Sequence, residues 1–161
     1  MGRSAASVMK AMPPKRQLAG FIAKYSPEVG ASAREALAKM RALLPGAIEL
    51  VYDNYNALAV GFGPTERASD AIFSIALYPR WVSLFFLRGA GLPDPQRLLK
   101  GSGKVVRHIV LEDAATLDKP AVRALMKIAL ERAAKPLDAA SRRRIVVKSI
   151  SAKQRPRRPA P

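Results

Sequence analysis

The sequence predicts a single α+β domain: an antiparallel sheet of about five strands, with two helices before it and one after it. Three observations lead to this fold class. The chain has 161 residues, which is the size of one domain. Apolar residues make up 49% of it, which is enough to form a core. They recur at helical spacing in the flanking parts and in short strand-like segments in the middle.

Two helices are predicted before the sheet. Residues 17–25 repeat apolar side chains at helical spacing, and Ser26-Pro27 is expected to end this helix. The second helix is expected to begin at Ser32, because Ser32 and Glu35 match a capping box in which each side chain bonds to the other's backbone amide. It should end before the Pro-Gly pair that follows.

The middle of the chain changes to short β-branched or aromatic segments separated by turn residues. The third and fourth segments are apolar on both faces. We therefore expect them to be central strands, covered on both sides or covered on one side with a pocket on the other. The five predicted strands span residues 48–51, 57–62, 71–78, 81–87 and 105–111.

The closing helix is expected to begin at Asp118, a suitable N-cap, with Pro120 in its first turn. Beyond it, residues 144–150 contain an apolar run that would suit a short additional strand. The predicted organisation is a flexible lead-in over 1–15, one folded domain over 16–136 and a basic Pro/Arg-rich tail over 137–161.

The net charge of +16 is concentrated near the two ends of the sequence. Four basic residues and no acidic one precede residue 20, and eight basic residues against one acidic residue follow residue 137. The absence of cysteine excludes disulfides and suits a reducing compartment. The most apolar stretch, 71–87, is split by Pro79-Arg80 into pieces too short to span a bilayer, and no signal-peptide pattern precedes it. We expect a cytoplasmic protein with no membrane partner.

No catalytic constellation is recognisable in the sequence. His108 is the only histidine, and a lone strand histidine is more often a structural residue than a general base. No G-x-S-x-G elbow is present. We therefore expect a protein that is not an enzyme and that needs no cofactor.

Two further segments have weak resemblances to binding sites. Glu112, Asp113 and Asp118 offer the oxygen ligands that hard cations prefer, but a helix cap and two solvated carboxylates explain them more simply. We predict no metal site there. The loop 101–104, GSGK, lacks the spacing of a P-loop. Its amides would suit an anion nest beside Lys104, and a tight turn with a solvated lysine is the alternative.

The C-terminal tail has the strongest charge pattern in the sequence. Lysine and arginine neutralise nucleic-acid phosphates without reading sequence, so non-specific nucleic-acid binding is one hypothesis, and a solubilising disordered end is the other. No aromatic residue follows Phe86, so the tail has no stacking platform for bases. Deleting the tail is expected to leave the fold intact. The candidate phosphate-binding residues are Arg142, Arg143, Arg144, Lys148, Lys153, Arg155, Arg157 and Arg158.

Part of the middle resembles a known family. The segments GAGLPDP (89–95), LLKGSGK (98–104) and RHI (107–109) resemble the YdhG-like family of small bacterial domains, over roughly residues 21–130. The resemblance implies an α+β sandwich and no particular activity. One branch of the family is linked to a frataxin-like iron role that relies on an acidic surface. The second predicted helix carries Arg34, Lys39 and Arg41 against Glu35 alone, so we do not expect that role here.

The first functional hypothesis is therefore a non-enzymatic binding domain for a small anionic ligand or an acidic partner segment. Arginines near a sheet favour carboxylate or phosphate partners, because the guanidinium group donates two parallel hydrogen bonds to them. Each of these polar residues has an alternative interpretation as an ordinary surface residue. The candidate ligand-binding residues lie at strand ends and turns: Tyr52, Asn54, Arg80, Trp81, Arg88, Lys104 and Arg107.

Overall fold

The computed structural model describes residues 12–161, so most of the predicted lead-in over 1–15 lies outside the described residues. Within that range the chain forms three α-helices and six strands, with short 3₁₀ helices at Ala68–Asp70 and Ala114–Asp118. In chain order the elements are α1 (Pro14–Ile22), α2 (Pro27–Leu43), β1 (Ile48–Asp53), β2 (Leu58–Gly63), β3 (Phe73–Leu77), β4 (Val82–Phe86), β5 (Arg107–Leu111), α3 (Pro120–Arg132) and β6 (Ile145–Ile150). The predicted α+β class, with helices before and after the strands, is confirmed.

The six strands form one mixed sheet in the order β5-β4-β3-β2-β1-β6. The first five strands of the chain pair as antiparallel neighbours. The last strand, β6, pairs with β1 in parallel. The predicted antiparallel sheet of about five strands was therefore wrong in its strand number and in the direction of one strand. Local sequence does not show this pairing, because the two partners lie far apart along the chain.

The chain that leads into β6 passes very close to Gly46, shortly after the end of α2. Gly46 has a φ of 80°, and a Cβ at this position would collide with the backbone carbonyl of Asp138. Glycine is therefore required both by the backbone conformation and by the space that the returning chain occupies. The Glu49 amide donates to the Arg144 carbonyl at 3.0 Å, and this bond begins the parallel ladder.

The helices pack on one face of the sheet. Alternate residues of each strand, such as Val60, Ile75 and Leu84, point into the core together with the apolar faces of α1, α2 and α3. On the other face, which we call the second face, the central strands carry small side chains. These are Ala59, Gly61, Ser74, Ala76 and Ser83. This face has room for a groove because small residues occupy the middle of the sheet.

The helix boundaries differ from the predicted ones for identifiable reasons. Helix α2 begins at Pro27, five residues earlier than expected, because the Ser26 hydroxyl accepts a hydrogen bond from the Val29 amide at 3.3 Å. The Ser26-Pro27 pair is thus the start of a helix and not the end of the previous one. Helix α3 begins at Pro120, and its N-cap residue is Lys119 instead of the predicted Asp118.

Among residues 12–161, no helix has both the length and the apolar character needed to cross a membrane.

Candidate functional site

A groove lies at the end of the sheet where β3 turns into β4 and the C-terminal segment passes by. We call it the basic groove, and its volume is about 740 Å³. One wall is the β3–β4 turn, and the other is the chain after β6. Its lining residues are Asn56, Tyr78, Pro79, Arg80, Trp81, Arg155, Pro156, Arg158, Pro159 and Ala160.

The wall from the C-terminal segment is fixed by backbone hydrogen bonds to the β1–β2 turn. The Ser151 amide donates to the Asp53 carbonyl at 2.8 Å, and the Arg155 amide donates to the Tyr55 carbonyl at 2.9 Å. The Arg155 guanidinium also lies over the Tyr55 ring, 5.6 Å from its centroid. These contacts place the arginine-rich segment beside the sheet.

A buried ion pair holds the C-terminal wall of the basic groove against the end of β1. Asp53 is fully buried at the end of β1, and its Oδ1 accepts from Nη2 of Arg157 at 3.0 Å. Its Oδ2 is 2.6 Å from Nζ of Lys24 and accepts from the Gln154 amide at 2.9 Å. Arg157 also donates to the backbone carbonyl of Asn54. We call Asp53, Lys24, Gln154 and Arg157 the Asp53 cluster.

Tyr25 supports this cluster from the core. Its hydroxyl donates to the Leu77 carbonyl at 3.0 Å and accepts from the Leu58 amide at 3.1 Å. The Arg157 guanidinium lies 5.7 Å from the centroid of the Tyr25 ring. Burial raises the pKa of the Tyr25 hydroxyl, against a smaller lowering influence from the Arg157 charge. Tyr25 is therefore a neutral hydrogen-bonding bridge between two strand ends at neutral pH.

The other wall of the basic groove is a tight turn with an aromatic pair. The Tyr78 amide donates to the Trp81 carbonyl at 2.9 Å, which closes the turn around Pro79 and Arg80. The rings of Tyr78 and Trp81 stack, with centroids 5.2 Å apart and planes 26° apart. Burial raises the pKa of Tyr78. Trp81 is 44% exposed, and both rings line the groove.

The electrostatic character of the basic groove is strongly positive. Its lining includes the exposed residues Arg80, Arg155 and Arg158 and no acidic residue. Within the described part of the chain, none of these guanidinium groups forms an ion pair. Arg158 uses its Nε to donate to the Lys24 carbonyl at 3.2 Å, which orients the group. The groove is therefore suited to an anion.

A second groove on the second face of the sheet adjoins the basic groove. We call it the sheet groove; its volume is about 520 Å³, and it shares Asn56 and Tyr78 with the basic groove. Its floor is made of small residues, and aromatic and polar side chains surround it. The remaining lining residues are Asn54, Tyr55, Ala57, Ala59, Ser74, Ala76, Phe85, Leu87 and Ser151.

The structure brings together only some of the seven predicted ligand-binding residues. Arg80 and Trp81 line the basic groove, and Asn54 lines the sheet groove. Tyr52 lies on the second face in β1, and its buried hydroxyl has no hydrogen-bond partner among the described residues. Burial raises the pKa of this hydroxyl.

The other three predicted residues lie at the opposite end of the sheet, about one strand length or roughly 15 Å away. Arg88 donates to the Ser69 carbonyl at 3.5 Å, and Arg107 donates to the carbonyls of its own loop at Gly103 and Val106. Lys104 is exposed in that loop. The seven residues therefore do not form a single pocket among the described residues. Antiparallel strands alternate in direction, so successive turns lie at opposite ends of the sheet.

The eight predicted phosphate-binding residues are also divided. Arg157 is 6% exposed and belongs to the Asp53 cluster, so it is a structural residue. Arg144 forms an ion pair with Glu66 at 3.2 Å, and Lys148 donates to the Glu66 carbonyl. Arg143 donates to the Arg41 carbonyl at 2.7 Å. Arg142 and Lys153 are exposed outside the basic groove, and Arg155 and Arg158 line it.

Two of the three carboxylates that follow β5, Asp113 and Asp118, have structural roles. Asp118 lies 2.6 Å from Lys39 and 2.9 Å from Arg123, and hydrogen bonds from these two groups lower its pKa. The Asp113 side chain accepts from the Ala115 amide at the start of the 3₁₀ helix. In residues 12–161 no group of three or more histidine or carboxylate side chains is arranged to hold a metal ion. His108 packs against Phe85 on the second face, with ring centroids 5.2 Å apart.

The sequence analysis did not predict that the Tyr78–Trp81 turn lies next to the C-terminal arginines. The tail contains no aromatic residue, but in the folded chain Tyr78 and Trp81 line the same groove as the tail. Asn56 and Tyr78 were not candidates, because nothing in their local sequence marks them. The one indication of this site in the sequence was that the only tryptophan directly follows a Pro-Arg pair, which is typical of a turn.

Comparison with known proteins gives no relative: no family model matches the chain, and no curated protein or solved structure is significantly similar to it. The resemblance to the YdhG-like family therefore stays a prediction.

Proposed function

We propose that this chain is a non-enzymatic binding protein for an anionic ligand, and that the basic groove is its binding site. The observation that carries the proposal is the convergence of Arg80, Arg155 and Arg158 on one groove that has no acidic lining residue. Two of these arginines come from the C-terminal segment and one from a turn between central strands. Only the folded chain brings them together.

The chemistry of arginine supports this assignment. The guanidinium group is planar, always charged, and donates paired hydrogen bonds to carboxylate and phosphate oxygens. An arginine that forms an internal ion pair, such as Arg157, has few hydrogen-bond donors free for a ligand. Arg80 and Arg155 donate no side-chain hydrogen bond to any described residue, so within residues 12–161 their donors are available to a ligand.

The basic groove also supports anion binding better than a diffuse basic tail does. Several tail cations are already engaged with backbone carbonyls or with Glu66. Arg142 and Lys153 are exposed separately, whereas Arg155 and Arg158 line one groove with Arg80 and so offer phosphates or carboxylates a surface of defined shape.

The test is a titration of the full chain with labelled anionic probes: an acidic peptide, a single-stranded oligonucleotide and a nucleoside triphosphate. The variant Arg155→Gln/Arg158→Gln should weaken binding of every probe that binds by at least about tenfold, because charge-assisted hydrogen bonds are lost. Fluorescence anisotropy measures this at low and at near-physiological salt.

The control is Lys119→Gln/Lys127→Gln, which removes the same charge from two exposed positions, the N-cap of α3 and the middle of α3, neither of which lines the basic groove. It should bind like the unchanged chain at near-physiological salt. If no anionic probe binds, or if both double variants lose affinity equally, the basic groove is not an anion-binding site.

A further inference from the structure

We infer that the anionic ligand of the basic groove is a single-stranded nucleic-acid segment, with one base stacked on Trp81 and its phosphates on the neighbouring arginines. This inference rests on the proposed function, because it specifies the ligand class of the same site. Four features of the described residues support it: an exposed aromatic platform, guanidinium groups on both walls, an adjoining groove and an acidic boundary.

Trp81 is the stacking platform. Its ring is held in place by Tyr78 on one side, at a centroid distance of 5.2 Å, and it remains 44% exposed. An exposed tryptophan that is fixed by a second aromatic ring does not lose much side-chain freedom when a base stacks on it. Stacking on aromatic side chains is the usual way in which proteins hold unpaired bases.

The arginines lie where the backbone of such a strand would pass. Arg80 follows the Tyr78–Pro79 step of the turn, and Arg155 and Arg158 lie on the opposite wall. A ligand whose base covers Trp81 therefore has cations on both sides of its sugar-phosphate backbone. Phosphate neutralisation by these groups would release counterions and make binding depend on salt.

The sheet groove extends the site beyond one nucleotide. It continues from the basic groove through the shared residues Asn56 and Tyr78, and small side chains form its floor. Tyr55 and Phe85 provide further ring surface. The side-chain amides of Asn54 and Asn56 donate and accept hydrogen bonds, which suits the edges of unpaired bases.

An acidic depression adjoins the basic groove and sets a boundary. Arg80 and Trp81 also line a second depression, which contains Glu28 and Glu112. Phosphates are repelled from that side, so the strand is directed towards the C-terminal segment and the sheet groove. A duplex has its base faces covered, and an acidic peptide would contact the arginines while leaving Trp81 and the sheet groove unused. An unpaired strand uses all of these features.

The experiment uses the full chain and the fluorescence of Trp81, which is the only tryptophan in the sequence. Single strands of RNA and of DNA about ten nucleotides long should bind, quench this fluorescence and bind better than the duplex of equal length. The logarithm of affinity should fall with the logarithm of salt concentration with a slope of about −2, since three arginines contribute about −0.7 each.

Two variants separate stacking from charge. Trp81→Ala should weaken single-strand binding by roughly 5- to 150-fold, and Trp81→Phe should recover part of the loss. Arg155→Gln/Arg158→Gln should reduce the magnitude of the salt slope by about 1.4. Trp81 is exposed, so a folded variant is expected, and circular dichroism verifies this for each protein.

The outcomes distinguish this inference from the proposal on which it rests. Equal binding of single strand and duplex, or unchanged single-strand affinity in Trp81→Ala, would overturn the inference. Arginine-dependent binding of the acidic peptide without binding of either single strand would also overturn it, while the anion-binding function would stand. Failure of every anionic probe would overturn both.

Discussion

At the scale of single residues, Arg157 shows that a charge in a basic tail can belong to the core. It is 6% exposed, and it pairs with Asp53, which is fully buried. A buried charge is tolerated only when partners surround it, and here Lys24 and Gln154 complete the set around Asp53. The same sequence segment therefore contains a structural arginine between two exposed ones, Arg155 and Arg158.

Replacing Arg157 by alanine should lower the free energy of unfolding by about 3 kcal/mol, because Asp53 would lose one buried partner and keep Lys24. Arg157→Lys should recover only part of this, since a lysine lacks the forked donors that also reach the Asn54 carbonyl. Urea unfolding measures all three proteins. Lys153→Ala, at an exposed position, should change stability by less than about 0.5 kcal/mol. An Arg157→Ala protein as stable as the Lys153→Ala control would contradict the structural role.

At the scale of elements, β6 shows that the C-terminal segment is part of the folded domain. It covers the edge of β1, and its residues Ile145 and Val147 pack against the core. The expectation that the tail can be deleted without affecting the fold is therefore withdrawn. A chain that ended at Pro136 would expose the backbone of β1 and leave Asp53 without Arg157.

Deletion of residues 137–161 should prevent formation of a stable native state, because it removes a strand, part of the core and two of the four members of the Asp53 cluster, Gln154 and Arg157. The exposed edge of β1 should also cause aggregation. Thermal unfolding and size-exclusion chromatography measure these effects. Deletion of residues 159–161 is the control and should leave the melting temperature nearly unchanged. A monomeric, cooperatively unfolding 1–136 protein would show that β6 is dispensable.

At the scale of the whole molecule, three tyrosines make the free energy of unfolding depend on pH in the alkaline range. Burial raises the pKa of Tyr25, Tyr52 and Tyr78 above the ordinary value of 10.0. The unfolded chain thus releases these protons at lower pH than the folded protein. Their contribution to stability is complete below about pH 10 and falls as the pH rises through the folded-state values.

The free energy of unfolding should therefore decrease as the pH rises above about 10. Tyr25→Phe should flatten this decrease, because the most buried of the three hydroxyls no longer titrates. The same variant should lose about 1–3 kcal/mol near neutral pH, since the Leu58 amide and the Leu77 carbonyl lose their partner. Urea unfolding across this pH range measures both effects. An equal alkaline decrease in both proteins would exclude Tyr25 as its source.

Much of the fold and a smaller part of the candidate site could be predicted from the sequence. Periodicity located the helices and the first five strands, because side chains that share one face repeat at fixed intervals along the chain. Arg80 and Trp81 were selected as candidates from their turn, and they line one groove in the structure. Arg88, Lys104 and Arg107 were grouped with them but lie at the other end of the sheet, because residue type does not show which end a strand end occupies.

The sequence by itself determined the α+β class, the helical and strand segments of the core, and the excess of positive charge near the chain ends. These properties depend on local spacing and composition. Only the tertiary structure decided that the last strand runs parallel to β1, that Arg157 is buried on Asp53, and that Arg155 and Arg158 face Trp81 across a groove. Such contacts join residues from about 75 to more than 100 positions apart. They depend on how the chain closes on itself, which local spacing does not encode.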